Sequence, residues 1–186
     1  MYPHELHPFV TEGARVMLFV DGENLAIRYG AMLNGKEATE AMVQWHRPNV
    51  AIWSPDLSPD LRSQIGNRVI RKYYYTSVQG DADKINETED WLKQRGFESP
   101  RVFKKYKDRG SKQVDISLAT DMLTHAFRKH YDIAVLVAGD EDYLPLVRAV
   151  KSEGPRVHVW FVSNGLSPAL RREADFFINL DACLGV

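Results

Sequence analysis

Three aspartates border apolar stretches in a way that sets them apart from the other acids of the chain. Asp21 directly follows Val16-Met17-Leu18-Phe19-Val20, Asp140 follows the 133–138 run after Gly139, and Asp115 stands near the start of an amphipathic stretch over 113–129. Short continuous apolar runs fit strands buried on both faces of a parallel sheet. A helix crossing back between such strands begins at their carboxyl edge, so all three carboxylates are expected at one edge of one sheet. Gathered there, they would repel one another and hold their protons more tightly unless a cation neutralised them. Mg²⁺ or Mn²⁺, which favour carboxylate and water oxygens, is the natural occupant.

Each residue taken singly has a plainer reading. Asp21 could be a turn or capping residue after a strand, and Asn24 could cap the following helix. Asp142 is balanced between metal ligand and amino-terminal cap, because Pro145 requires a helix to start nearby. Asp140, just outside that helix, has less need of a capping role. Asp121 lies six residues beyond Asp115, ~9 Å along a helix axis at 1.5 Å per residue, and is expected to be structural. It is the joint placement of the acids that points to a cation.

The elements that must position them alternate. Strands are expected over 16–20, 69–78, 102–106 (an edge strand), 133–138 and 157–162, and helices over 25–33, 81–96, 113–129 and 142–153. The 81–96 helix turns Ile85, Trp91 and Leu92 inward, and the 113–129 helix has Val114, Leu118, Met122 and Ala126 on its core face. Such alternation predicts an α/β fold: a doubly wound, mostly parallel sheet with helices on both faces, its ligand site beyond the carboxyl ends of the strands where strand order reverses. If the order is the commonest doubly wound one, the strands ending at Asp21 and Asp140 are neighbours. The 186 residues fit one domain spanning 1–186, in which 36–67, broken by Pro48, Pro55 and Pro59, reads as an insertion.

Composition narrows the class. Apolar residues make up 44% and charged residues 26%, which excludes wholesale disorder, and the single Cys183 excludes an internal disulfide or a zinc cluster. No segment reads as a signal peptide or a membrane span, so the expected location is the cytoplasm and no membrane partner is expected. Net charge is −1, yet 101–112 carries Arg101, Lys104, Lys105, Lys107, Arg109 and Lys112 against Asp108 alone. That stretch could bind a polyanion or, equally, be a solvated edge strand kept from aggregating by lysines. Trp45 and Trp53 could stack bases, although packing of the insertion is the more frequent role of such rings. Arg171 and Arg172 read first as a solvated helix face, and His125 as a helix-surface residue.

Three ordered motifs carry a family resemblance: Phe19-Val20-Asp21-Gly22-Glu23-Asn24-Leu25, the 112–123 segment containing Asp115 and Asp121, and Leu136-Val137-Ala138-Gly139-Asp140-Glu141-Asp142-Tyr143. With Leu146-Val147, Gly154 and Ala174-Asp175-Phe176 to Leu180, they closely resemble the NYN domain family, specifically its LabA-like branch. The resemblance implies a PIN-like (Rossmann-like, three-layer) fold and metal-dependent ribonuclease activity. By it, Asp21, Asp115 and Asp140 match the metal-binding catalytic acids, Asp142 an additional one, and Asn24 a site-positioning residue. Glu141 departs from the family, where small residues are common, and is expected to alter access or metal water structure.

The expected reaction is hydrolysis of an RNA phosphodiester with one or two Mg²⁺ or Mn²⁺ ions activating water. Lys112, Lys105 and Arg109 are expected to hold phosphates of a single-stranded RNA. A homodimer through the insertion is carried as an expectation. The main rival is a non-catalytic module that binds RNA or a nucleotide and keeps the acidic pocket for a structural metal or for regulation. Asp21-Gly22-Glu23 is not the paired-aspartate opening of haloacid dehalogenase-like phosphatases, and neither the P-loop nor the dinucleotide glycine motif occurs.

Overall fold

The computed structural model describes residues 13–34, 45–57, 68–106 and 112–186, without the side chains of Asp56, Arg68 and Lys112. Its strands are β1 (Arg15–Asp21), β2 (Trp45–Arg47), β3 (Ala51–Trp53), β4 (Arg68–Val78), β5 (Ser99–Lys104), β6 (Ile133–Val137), β7 (Arg156–Phe161) and β8 (Phe176–Asn179). Its helices are α1 (Gly22–Leu33), α2 (Ala82–Lys93), α3 (Lys112–Phe127), α4 (Leu144–Ser152), α5 (Pro168–Glu173) and α6 (Asp181–Leu184).

Six strands form one sheet in the order β5-β4-β1-β6-β7-β8, and every neighbouring pair is parallel. Chain order runs outward from β1 to β5 on one side and from β6 to β8 on the other, so the order reverses between β1 and β6. Those two strands are paired from Val16 opposite Ile133 to Val20 opposite Val137, which places their carboxyl ends side by side. The expected edge strand is an edge, β5.

Alternation within β1 divides the core. Val16, Leu18 and Val20 pack with Leu25 and Tyr29 of α1, Leu92 of α2, Leu184 of α6 and Ile52 of the β2–β3 hairpin. Met17 and Phe19 point the other way, against Val114, Leu118, Met122 and Ala126 of α3, Val147 and Val150 of α4 and Leu170 of α5. The result is a three-layer α/β sandwich with helices on both faces, as the sequence predicts. The inward α2 residues are less uniform: Leu92 is buried, while Ile85 and Trp91 are half-buried against the core.

Between α1 and β4, β2 and β3 form an antiparallel hairpin seated on the α1 side. Tyr74 of β4 anchors it, donating its hydroxyl to Ile52 O at 3.0 Å and accepting from Ile52 N at 3.0 Å. The hairpin decides between the two roles open to Trp53, in favour of packing. Trp53 is 4% exposed and meets Phe97 edge-on at 5.3 Å, so its ring is core and is closed to bases. Trp45 is half-buried, with the Arg95 guanidinium 5.6 Å from its ring. Elsewhere, Phe176–Asn179 adds a strand that apolar runs alone did not announce, and Arg171 and Arg172 lie exposed on α5. Among the described residues no helix is long and apolar enough to cross a membrane.

Candidate metal centre

Asp21 ends β1 and also caps α1, accepting a hydrogen bond from Asn24 N at 3.1 Å. The helix therefore starts at Gly22, not at residue 25, and Asn24 lies inside it and not at its cap. This immediate strand-to-helix turn needs Gly22, because a Cβ there would fall 1.8 Å from Cε1 of Tyr74. A similar constraint holds at the end of β6, where a Cβ on Gly139 would lie 2.3 Å from Cε1 of Phe161 and 2.8 Å from Gly165 O. The glycines of both acidic motifs thus let the backbone approach the sheet closely enough to bring the acids to its edge.

After Gly139 the chain makes a 3-10 turn, Glu141–Tyr143, before α4 begins at Leu144 with Pro145 in its first turn. Asp140 caps that turn, accepting from Asp142 N at 3.1 Å. The capping role weighed for Asp142 therefore belongs to Asp140, because only the residue preceding the turn can face its unpaired amides. Capping does not withdraw Asp140 from the site: it and Asp142 are among the charges acting on Asp115. Glu141 is turned away to Ser167, whose hydroxyl donates to Oε2 at 2.9 Å.

Tyr143 joins the pieces. Its hydroxyl stands 2.9 Å from Oδ2 of Asp21 and 3.1 Å from Oδ1 of Asp115, linking the end of β1 to the first turn of α3. Asp21 is 3% exposed, and burial pushes its pKa up to about 7, against the hydrogen bonds from Asn24 and Tyr143, with Asp115 and Glu23 adding repulsion. Asp115, exposed at the mouth, is also raised, first by desolvation and then by Asp140, Glu23 and Asp142, against the Tyr143 bond. Burial and the two neighbouring acids raise Tyr143 well above an ordinary phenol, so it remains a hydrogen-bond donor.

Glu23, two residues beyond Asp21, was missed by sequence reasoning. It is 2% exposed, accepts from the Ser77 hydroxyl at 2.7 Å and pairs with Lys105 Nζ at 2.5 Å. The only sequence signal was an acid in the first turn of a helix, which reads as favourable for the helix dipole and says nothing of burial. Tyr143 closes the third motif, and residue order alone gives it no role. Lys105, expected to hold phosphate, is thus already engaged by Glu23, with a third of its side chain exposed. Lys112 opens α3 but its side chain, like all of Arg109, lies outside the described residues. Asp121 stays apart as expected, bonded by the Tyr75 hydroxyl at 2.9 Å and Arg101 Nε at 3.3 Å. His125 differs from expectation: it is half-buried, 2.8 Å from the Tyr73 hydroxyl and 2.8 Å from His130 Nδ1.

As the side chains stand, no three His, Cys, Asp or Glu residues among those described are close enough to enclose an ion. The donor chemistry nevertheless suits Mg²⁺ or Mn²⁺, since Mg²⁺ commonly keeps several waters and takes only one or two protein carboxylates. Asn24 Oδ1 adds a buried acceptor with no hydrogen-bond partner among the described residues.

Residues 15–181 match the family model of the NYN domain. The chain belongs to the NYN domain family. An uncharacterized protein of Methanocaldococcus jannaschii is 30% identical over 121 residues, covering 65% of this chain and 45% of its own length. The NYN chain thus spans less than half of that curated relative. A crystal structure of a protein of unknown function from Vibrio parahaemolyticus superposes with a TM-score of 0.65 at 21% identity, covering 95% of this chain and 99% of that one. At that identity the likeness bears on the NYN fold alone.

Proposed function

We propose that this NYN chain is a ribonuclease that hydrolyses phosphodiester bonds of single-stranded RNA at a Mg²⁺ or Mn²⁺ centre held by Asp21, Asp115, Asp140 and Asp142. The observation that carries the reading is Asp21: a buried carboxylate at the topological switch point, with a raised pKa and no cationic partner among the described residues. A bound cation would supply charge neutralisation, a water of lowered pKa and stabilisation of the leaving oxygen.

The chain's own groups have separable tasks. Asp21 and Asp115 approach from two different elements with Tyr143 between them, while Asp140 and Asp142 add negative charge at the exposed lip. Asn24 presents its amide beside Asp21 from the first turn of α1. Lys105 has exposed surface left beyond its bond to Glu23, and we assign it, with Lys112 and Arg109, to the phosphates flanking the scissile bond. We take 1–186 as one domain with 36–67 inserted, working in the cytoplasm, where a chain with one cysteine needs no disulfide.

Purified protein incubated with single-stranded RNA in Mn²⁺, Mg²⁺ or chelator tests this. Cleavage with metal, none in chelator and none in Asp140→Asn is expected. Equal cleavage by the variant would sink the assignment. Binding with steep salt dependence but no cleavage would favour the non-catalytic module.

A further inference from the structure

We propose that Tyr143 is a positioning residue for the cation: its hydroxyl pre-organises Asp21 and Asp115, setting the spacing at which the two carboxylates receive the ion. This rests on the metal-centre reading above and assigns to it a residue that carries no charge and touches no substrate.

A phenol has one O–H, yet the Tyr143 hydroxyl lies within hydrogen-bond distance of two carboxylates from different elements, 2.9 Å from Asp21 and 3.1 Å from Asp115. Only one can accept its hydrogen at a time. Two acids are therefore held about one donor, and the pair is complete only when a further positive centre joins it. The hydroxyl itself has little freedom. Tyr143 is 4% exposed, and its ring belongs to the core cluster formed by α3, α4 and the second face of the sheet. Its backbone is set by the same 3-10 turn that carries Asp140 and Asp142, with Tyr143 N donating to Asp140 O at 3.3 Å.

The geometry leaves room for a ligand. Tyr143 contacts one oxygen of each carboxylate, Oδ2 of Asp21 and Oδ1 of Asp115, so each acid keeps further lone pairs. Hydrogen bonds that orient ligating groups in this way typically govern metal affinity by about 10–100-fold. Phenylalanine at 143 would keep the ring and its packing while releasing Asp115, which is exposed and whose carboxylate accepts no other hydrogen bond among the described residues.

The test is a Mn²⁺ titration by calorimetry, with Mn²⁺ electron paramagnetic resonance as a second readout, on wild type, Tyr143→Phe and Tyr75→Phe. Tyr75 is the internal control, because its hydroxyl makes a comparable bond to Asp121 at 2.9 Å, outside the centre. Tyr143→Phe is expected to bind Mn²⁺ about 10–100-fold more weakly, Tyr75→Phe like wild type, and all three to melt within a few degrees of one another in chelator. A double-mutant cycle with Asp115→Asn should show that the loss on removing the hydroxyl shrinks once Asp115 is uncharged. Mn²⁺ binding by wild type and Tyr143→Phe with equal affinity, or tighter binding by the variant, overturns the inference and leaves the metal centre standing. Failure of wild type to bind Mn²⁺ overturns both.

Discussion

Two buried carboxylates sit two residues apart at the end of β1, and the fold treats them in opposite ways. Glu23 is satisfied from within: Lys105 supplies a charge, Ser77 a hydroxyl, and the three residues tie together the start of α1 and the ends of β4 and β5. Asp21 is just as buried, yet among the described residues it receives only a backbone amide and a hydroxyl shared with Asp115. Isolated buried charge is costly, so such a group either keeps its proton or finds a cation. Glu23 has its cation built in, and Asp21 is left with a proton when nothing else is bound. Closeness in sequence says nothing about role here. What separates a structural acid from a ligating one is whether the chain itself supplies the counter-charge.

The sharpest way to break this contrast is Asp21→Asn. If Asp21 is the acid reserved for a cation, the substitution should lower RNA cleavage about a thousandfold or more, ~4 kcal/mol of transition-state stabilisation. Mn²⁺ affinity should fall with it. The same variant should be no less stable than wild type at neutral pH without metal, because an amide needs no proton and no counter-ion. Single-turnover cleavage and chelator-phase melting curves read the two effects separately. A variant that cleaves normally, or that loses activity only because it unfolds, would place Asp21 with Glu23 as a structural acid.

A pH series examines the same difference with a smaller effect. Asp21 holds its proton to about pH 7 in the folded chain, whereas an unfolded aspartate releases it near pH ~4. In that interval unfolding releases a proton, so the contribution of Asp21 to stability is complete below about pH 4, declines as pH rises and is lost above about pH 7. The metal-free protein should therefore lose on the order of 4 kcal/mol of unfolding free energy across the window from this one group. In Asp21→Asn that part of the slope should vanish, and in wild type saturating Mn²⁺ should restore stability most strongly at the alkaline end. Denaturant melts at half-unit pH steps, with and without Mn²⁺, decide it.

Much of this arrangement was legible from residue order. The buried runs before Asp21 and Asp140, and the apolar spacing of Val114, Leu118, Met122 and Ala126, are signals that one-dimensional periodicity carries well, and they suffice for a three-layer α/β fold. Which residue caps which turn was less legible: Asp21 and Asp140 do their capping from just outside the helical turns, and the pattern of apolar residues cannot fix a boundary to one position. Glu23, Ser77 and Lys105 could not be joined at all, because their contact depends on the ends of three elements meeting after the sheet is ordered. Trp53 was only partly legible for a related reason. A tryptophan in an irregular, proline-broken stretch reads first as a packed ring, and a stacking role stays open until Phe97 is known to lie 5.3 Å away.

The smallest effect tests the internally neutralised acid itself, through the unequal exposure of the two partners. Glu23 is 2% exposed and the Lys105 side chain 33%. Lys105→Met would strand a buried carboxylate, whereas Glu23→Gln would leave an ammonium able to turn to water and would keep an acceptor for Ser77. Breaking one side of a buried pair costs most when the group left behind stays buried. Lys105→Met should therefore destabilise by about 2 kcal/mol and Glu23→Gln by about 1 kcal/mol, after discounting for the water that already reaches Lys105. Chemical denaturation at pH 7.5 in chelator, conditions in which Asp21 contributes nothing, isolates the pair. Equal costs would mean that the two groups are not an internally neutralised unit. A larger cost for Glu23→Gln would mean that the carboxylate does more than hold Lys105, and the boundary drawn between Glu23 and the acids around Tyr143 would have to move.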